Sequence, residues 1–357
     1  MDAQAPATVL VSGGTGYLAR WCIAELLNDG YTVHATVRTP SSEQDLPPQF
    51  APARKSGQLR LFTADLLGDA GWEAATAGCD YVLHVASPFP AVQPKDPDEL
   101  IVPARDGTLR VLRAAFDAGV RRVVVTSSSA AVRNPGAPAR SRPLTEDDWS
   151  DPGNPKLTPY AKSKTIAERS AWDYADSVGA TDRLAVVNPG AIIGPLIGGH
   201  GSFSLQTVGR LLDGGMPAIP RIGFSLVDVR DLVALHIRAM SEPAAAGQRF
   251  LGTGTFLWLA DIAAILREEL GEQASKVPTR QAPDALLRLV SFFDPSVRSV
   301  AGELGRRSDY STDKAMTVLG WTRRPVRESV LDCGRSLAPG TVTERGRARS
   351  SPGRARR

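Results

Sequence analysis

The sequence is poor in the residues that staple or metallate a fold. Its three cysteines, Cys22, Cys79 and Cys333, are widely separated, odd in number and without a CxxC spacing, which argues against a disulfide framework or a zinc site. The four histidines, His34, His84, His200 and His236, form no short-range ligand cluster, so no metal is expected. No stretch approaches the ~18 apolar residues needed to cross a bilayer, and no positively charged segment opens the chain. The expected setting is cytoplasmic, with no membrane partner.

Net positive charge is confined to one place. The last seventeen residues, TVTERGRARSSPGRARR, hold six arginines and one glutamate, a local charge of +5; removing it from the overall +4 leaves −1 for the rest. A nucleic-acid partner is therefore not expected, and 338–357 reads as a basic, disordered tail that cannot bury a core.

What the chain does have is a regular alternation. Across its 357 residues, 42 % of them hydrophobic, short β-branched runs such as ATVLVS, YTVHATV, DYVLHVAS, RRVVVTSSS and RLAVVNPG are separated by helical patterns. Runs apolar at successive positions suit strands covered on both faces. The alternation predicts an α/β fold, a Rossmann-type doubly wound parallel sheet. Gly30 and Gly119 fall where helix C-caps belong. After Gly194 the rhythm changes to Gly/Pro-rich loops and scattered helices (SLQTVGRLLDGG, DVRDLVALHIRAM, WLADIAAILREELG, DALLRLVSFF). This gives a division into 1–193 and a mostly helical 194–337 that packs over the open end of the sheet, with function in the cleft between.

In VLVSGGTGYLARWCIAELL, Gly13, Gly16 and Ala19 have GxxGxxA spacing between an apolar strand and a helix. Small residues there permit a tight turn and bring a pyrophosphate close to the helix N-terminus, where free N–H groups and the dipole favour an anion. Residues 1–193 are thus expected to bind a dinucleotide. At the end of the second strand, where an acid would hold an NAD ribose, stands Arg38; arginine suits a 2′-phosphate, which favours NADP(H) over NAD(H). Asp65, past the third strand, suits either the adenine edge or a local cap.

The segment PYAKSKTIAERSAW reads as a helix. On a wheel with Ile166 at zero, Ser163, Ala167, Ala171, Tyr174 and Val178 fall between about 60° and 140°, opposite Lys162, Arg169, Asp173 and Asp176. Tyr160 and Lys164 lie within or beside that inward face, at about 120° and 160°. A protonated lysine one turn from a phenol favours the phenolate, which would fit Tyr160 as a general acid near neutral pH. A carbonyl accepting hydride needs such a donor and a hydrogen bond on its oxygen. Thr126, Ser127, Ser128 and Ser129 end a strand facing the ligand crevice, and any of these hydroxyls could supply that bond.

These segments, with HVASP, DGTLRVL, VVNPGAIIGP, DVRDLV and STDKAMTVLGW, resemble the extended short-chain dehydrogenase/reductases, in the branch of dihydroflavonol-4-reductase-like and aldehyde or ketone reductases. The resemblance spans Val9 to Leu337. It implies an NADPH-dependent reductase of a small-molecule carbonyl, and homodimerisation as a family habit. Carried over by position, it implies a catalytic Ser128, Tyr160 and Lys164, with Ser129 adjacent as the other serine. It further implies that Gly13, Gly16, Tyr17 and Leu18 hold the pyrophosphate, Arg38 the 2′-phosphate, and Asp65 with Leu66 the adenine. Val85, Ala86 and Ser87 would run along the cofactor, Lys164 would reach the nicotinamide ribose, and Pro189 would sit beside the nicotinamide. Arg133 replaces the Asn or Asp of plant dihydroflavonol reductases, and the NWYCY motif of cinnamoyl-CoA reductases is missing. Both departures point to a small or medium aldehyde or ketone. The rival readings are a nucleotide-sugar epimerase or dehydratase, a 3β-hydroxysteroid dehydrogenase-like oxidation, and a non-catalytic NADP(H)-sensing regulator.

Overall fold

The computed structural model describes residues 6–88, 94, 96–136, 142–199, 201–293 and 301–338. The basic tail expected from 338 onward lies, from 339, outside them. Six strands, β1 (Thr8–Val11), β2 (Thr32–Val37), β3 (Leu59–Thr63), β4 (Tyr81–His84), β5 (Arg122–Thr126) and β6 (Leu184–Pro189), are joined by a seventh, β9 (Gln248–Gly252). They form one sheet in the order β3-β2-β1-β4-β5-β6-β9, with every neighbouring pair parallel. The strand order reverses between β1 and β4, which opens a crevice at their carboxyl ends.

The successive apolar residues of these strands serve two separate layers, because alternate side chains point to opposite faces. Val123, Val125, Leu184 and Val186 join the layer built by α4 (Asp98–Asp117) and α5 (Pro159–Ser177), with Val111, Leu112, Ala171 and Ala175. Val124, Ala185 and Val187 face the other way, against α1 (Tyr17–Asn28) and α7 (Val229–Ser241). The short helices α2 (Ala51–Ser56) and α3 (Trp72–Thr76) flank β3. Gly30 and Gly119 follow α1 and α4 with φ of 84° and 75°, the left-handed C-terminal geometry expected of them.

A small second sheet of β7 (Ala191–Ile193), β8 (Gly223–Asp228) and β10 (Phe256–Trp258), in the order β10-β8-β7, lies beyond the main one. Around it pack α6 (Phe203–Leu212), α8 (Leu259–Leu270) and the helix Val326–Leu337, while the helix Asp313–Leu319 lies against β9 and α7; α9 (Asp284–Val290) is peripheral. The sequence division at 194 is not a spatial one. Both α7 and β9 come after it, yet they belong to the main sheet and its covering layer. Leu205, Ile262, Leu266, Trp321 and Cys333 share one apolar cluster with Val9, Val11 and Ile23. The chain leaves the sheet, builds part of the second region, returns for the seventh strand and leaves again, which welds the two regions into one core. All three cysteines are buried thiols. Among the described residues no helix is long and apolar enough to cross a membrane.

Candidate active site

The glycine turn after β1 is held from two sides. Gly14 N–H donates to the Thr36 carbonyl at 2.7 Å and Gly13 N–H to Thr36 Oγ1 at 2.9 Å, so the turn is stitched to β2. Gly13 has φ +68°, and a Cβ there would come within 2.9 Å of the Ala86 side chain; only glycine lets the turn and the end of β4 touch. Tyr17 and Leu18 open α1, where the first N–H groups lack intrahelical acceptors. The Tyr17 side chain is buried and its hydroxyl has no hydrogen-bond partner among the described residues. Of Tyr17 only the backbone is therefore available to a phosphate, and burial drives its phenol pKa upward. This cradle fits a dinucleotide pyrophosphate.

Arg38 follows β2, is exposed and has no hydrogen-bond or ion-pair partner among the described residues, as a receptor for a 2′-phosphate should be. Asp65 Oδ1 accepts from Leu67 N–H at 2.9 Å, so the carboxylate caps its own turn and leaves one oxygen for another donor. The Leu66 carbonyl is taken by Arg110 at 2.8 Å, and its side chain lies against Gly107 of α4, where a Cβ would be 2.8 Å away. Val85 packs against the core. Ala86 N–H donates to Ser12 Oγ at 2.9 Å. Pro189 ends β6, buried and paired with Gly252.

The four consecutive hydroxyl residues at the end of β5 have four different partners. Thr126 Oγ1 lies 2.8 Å from His236 Nε2, while His236 Nδ1 is 2.8 Å from the Leu232 carbonyl. The carbonyl requires a proton on Nδ1, so Nε2 accepts and Thr126 donates. Ser127 Oγ donates to Glu168 Oε2 at 2.5 Å. Ser128 hydrogen-bonds the Tyr160 phenol and accepts from Ala130 N–H at 3.1 Å. Ser129 engages Tyr310. Of the two serines that sequence left open, Ser128 is the one in contact with Tyr160, and Ser129 the one in contact with Tyr310.

Thr158 caps α5 by accepting from Ala161 N–H at 3.2 Å, and Pro159 occupies the first turn, where its missing N–H costs nothing. Ser163, Ala167 and Ala171 are buried and Arg169, Asp173 and Asp176 exposed, as the wheel predicts. Val178 departs from it, at 49 % exposed, because α5 ends at Ser177. The buried arc is also wider than the wheel suggests and takes in Thr165 and Glu168. Lys164, 7 % exposed, donates from Nζ to the Thr126 carbonyl at 3.1 Å and has no direct ion-pair partner among the described residues. Burial depresses its pKa to about 8, against an upward pull from Glu168.

One expectation is reversed. The Lys164 spacing predicts a lowered Tyr160 pKa, but burial raises it, and only the Ser128 hydrogen bond pulls the other way. The reason is directional: the ammonium is turned toward the Thr126 carbonyl, and the phenol sits among groups that do not solvate an anion.

Behind Lys164 is a small cavity of about 10 Å³ lined by His84, Ser87, Thr108, Ser127, Lys164 and Glu168. His84 Nδ1 is 2.9 Å from Ser12 Oγ and Nε2 3.4 Å from Thr108 Oγ1. Thr108 already donates to the Ala104 carbonyl at 2.7 Å, which assigns the proton to Nε2 and makes Nδ1 the acceptor of the Ser12 hydroxyl. Burial, aided by Lys164, pushes the His84 pKa down to about 3; it is a neutral strut between the glycine turn and the lysine. Sequence reasoning missed Ser12, His84, Glu168, His236, Arg249 and Tyr310. Glu168 alone carried a local signal, its i+4 spacing from Lys164.

The sequence pattern of the NAD dependent epimerase/dehydratase family matches residues 9–251. Cinnamoyl-CoA reductase 2 of Arabidopsis thaliana is 35 % identical over 332 residues, covering 92 % of each chain. Dihydroflavonol 4-reductase of Zea mays is 34 % identical over 279 residues, 76 % of each chain. Among solved structures, Gre2 from Candida albicans in complex with NADPH superposes with a TM-score of 0.75 at 25 % identity, covering 93 % of this chain and 98 % of the other. These relatives are reductases, and they place the protein among the NAD(P)-dependent oxidoreductases. The glycine cradle, the strand order and the matched length together make this chain a member of the NAD dependent epimerase/dehydratase family, in the reductase branch of the extended short-chain dehydrogenase/reductases.

Proposed function

We propose that this protein is an NADPH-dependent carbonyl reductase that converts an aldehyde or ketone to an alcohol. One observation carries the reading. Of four adjacent hydroxyl residues at the end of β5, only Ser128 meets Tyr160, one helical turn from a buried lysine. That is the donor pair a carbonyl oxygen needs.

Reduced nicotinamide, when bound, supplies the hydride. Tyr160 gives its phenolic proton to the carbonyl oxygen, and Ser128 holds that oxygen by a hydrogen bond. Lys164 keeps a positive charge near the phenol as it loses its proton, and would hold the nicotinamide ribose by a hydrogen bond. Arg38 receives the 2′-phosphate and selects NADPH; Gre2, described in complex with NADPH, supports that choice. On the substrate side, the Arg133 guanidinium is committed to Glu303 through two 2.6 Å bonds. Its position and orientation are thus set by Glu303 rather than by a substrate, which favours a small or medium aldehyde or ketone over a flavanonol.

The test is NADPH oxidation over a panel of aldehydes, ketones, diketones and flavanonols, repeated with NADH. Turnover of at least one simple carbonyl with NADPH preferred is the expected result. Protein purified with tightly held NAD⁺ and inert toward the whole panel would instead identify an epimerase or dehydratase.

A further inference from the structure

Glu168 is a fully buried acid, 1 % exposed, that the chemistry above does not use. Every group around it is a donor. Ser127 Oγ and Asn188 Nδ2 reach Oε2 at 2.5 and 2.7 Å, and Arg249 Nε lies 2.8 Å from Oε1. Two hydrogen bonds thus end on Oε2, and the Arg249 contact with Oε1 is an ion pair. Arg249 is itself anchored, with Nη1 on the carbonyls of Glu146 and Asp148 at 2.9 and 3.1 Å and its guanidinium 3.6 Å from the Trp149 ring centre.

The chain could have spent this acid on a direct Lys164 pair, since the two are four residues apart on α5. It does not: Ser127 after β5, Asn188 in β6 and Arg249 in β9 hold the carboxylate out of ion-pair contact with Lys164, although both side chains line the same cavity. A contact pair would fix the ammonium on the acid and draw it off the Thr126 carbonyl. A charge held across the cavity lowers the cost of burying the ammonium and leaves it directed at the Thr126 carbonyl. The groups facing Glu168 are Lys164 on its own helix, Ser127, Asn188, Arg249 and, across the cavity, neutral His84.

We propose that Glu168 is a positioning residue for Lys164, a counter-charge pinned at a distance by Ser127, Asn188 and Arg249 that keeps the lysine an ammonium without pairing with it. The proposal rests on the catalytic reading of Tyr160 and Lys164 given above.

Glu168→Gln preserves shape and removes the charge. Two pH series from 6 to 10 read the effect: the NADPH dissociation constant by nucleotide fluorescence, with no carbonyl present, and kcat/KM for the best carbonyl. Both are expected to weaken through the Lys164 titration, and in Glu168→Gln both alkaline limbs move down by about 1 pH unit, a loss of about fivefold at the wild-type midpoint that approaches about tenfold well above it. Glu168→Asp, which keeps the charge, restores the limbs to within about 0.3 unit. A Gln variant that is weaker by the same factor at every pH, with unmoved limbs, overturns the proposal. If Glu168→Gln does not fold, Glu168→Asp carries the test, and a downward shift of about 1 unit in that variant overturns it. A moved binding limb in a protein that reduces no carbonyl would sink the reductase reading and leave the role of Glu168 standing.

Discussion

Lys164→Met should yield an inactive protein that is more stable than the wild type at neutral pH. The lysine is 7 % exposed, and its pKa falls from 10.5 to about 8 on burial. A drop of about 2.5 units corresponds to roughly 3.4 kcal/mol against the charged folded form. Below pH 8 the lysine is protonated in both the folded and the unfolded chain, so the penalty is present in full. Between 8 and 10.5 the unfolded chain binds the proton more tightly than the folded one, and wild-type stability climbs with pH by up to about 1.4 kcal/mol per unit. Against this stands the ammonium bond to the Thr126 carbonyl, whose loss costs about 1.5–3 kcal/mol. The net expectation at pH 7 is a methionine variant more stable by about 0.5–2 kcal/mol. Urea unfolding of both proteins at pH 7 and pH 10 measures it. The difference should swing toward the wild type by about 2–3 kcal/mol over that interval. A variant less stable at pH 7, or a difference that ignores pH, would refute the argument that a buried, unpaired ammonium is maintained here at the expense of the fold.

Tyr160→Phe removes the proton donor and is expected to lower kcat by about 10²–10⁴ while NADPH binding, read by fluorescence, persists; unchanged turnover would be fatal to the assignment. Ser128→Ala should lower kcat substantially, and Ser129→Ala, which loses only its contact with Tyr310, should do so far less; steady-state kinetics with one carbonyl separates them, and the reverse order would move the catalytic role to Ser129. Arg38→Ala should weaken NADPH by about 10- to 100-fold through loss of a charge-assisted contact and leave NADH unaffected, as titration of each nucleotide will show.

The readable parts of this protein were those whose determinants are local. A strand, a turn and a helix N-terminus follow one another within β1 and α1, so the tight turn at Gly13 and Gly16 is legible unaided. Tyr160 and Lys164 lie one turn apart, and the spacing carries the meaning. The serine segment was legible as a cluster but not residue by residue, since what distinguishes Ser128 is where its neighbours' hydroxyls go: Thr126 to His236, Ser127 to Glu168, Ser129 to Tyr310. Those partners arrive from later helices and loops, far along the chain. Glu168 was overlooked because a helical wheel assigns acids to solvent unless something across the core claims them, and Arg249 is 81 positions away. The fall in Lys164 basicity and the rise for Tyr160 have the same origin, a degree of burial that spacing alone does not reveal.

The late return of β9 to the main sheet has a consequence during biosynthesis. The strands β1 to β6 are complete once Pro189 has been made, but β6 gains its outer neighbour only after Gly252. At 5–20 residues per second, those roughly 60 residues take about 3–12 s to translate. During that interval β6 lacks the strand that covers its outer edge in the finished fold, and an unpaired edge is open to addition of a wrong strand. Expression yield should therefore respond to chaperone supply and to codon choice between 190 and 252 more strongly than to changes elsewhere in the message.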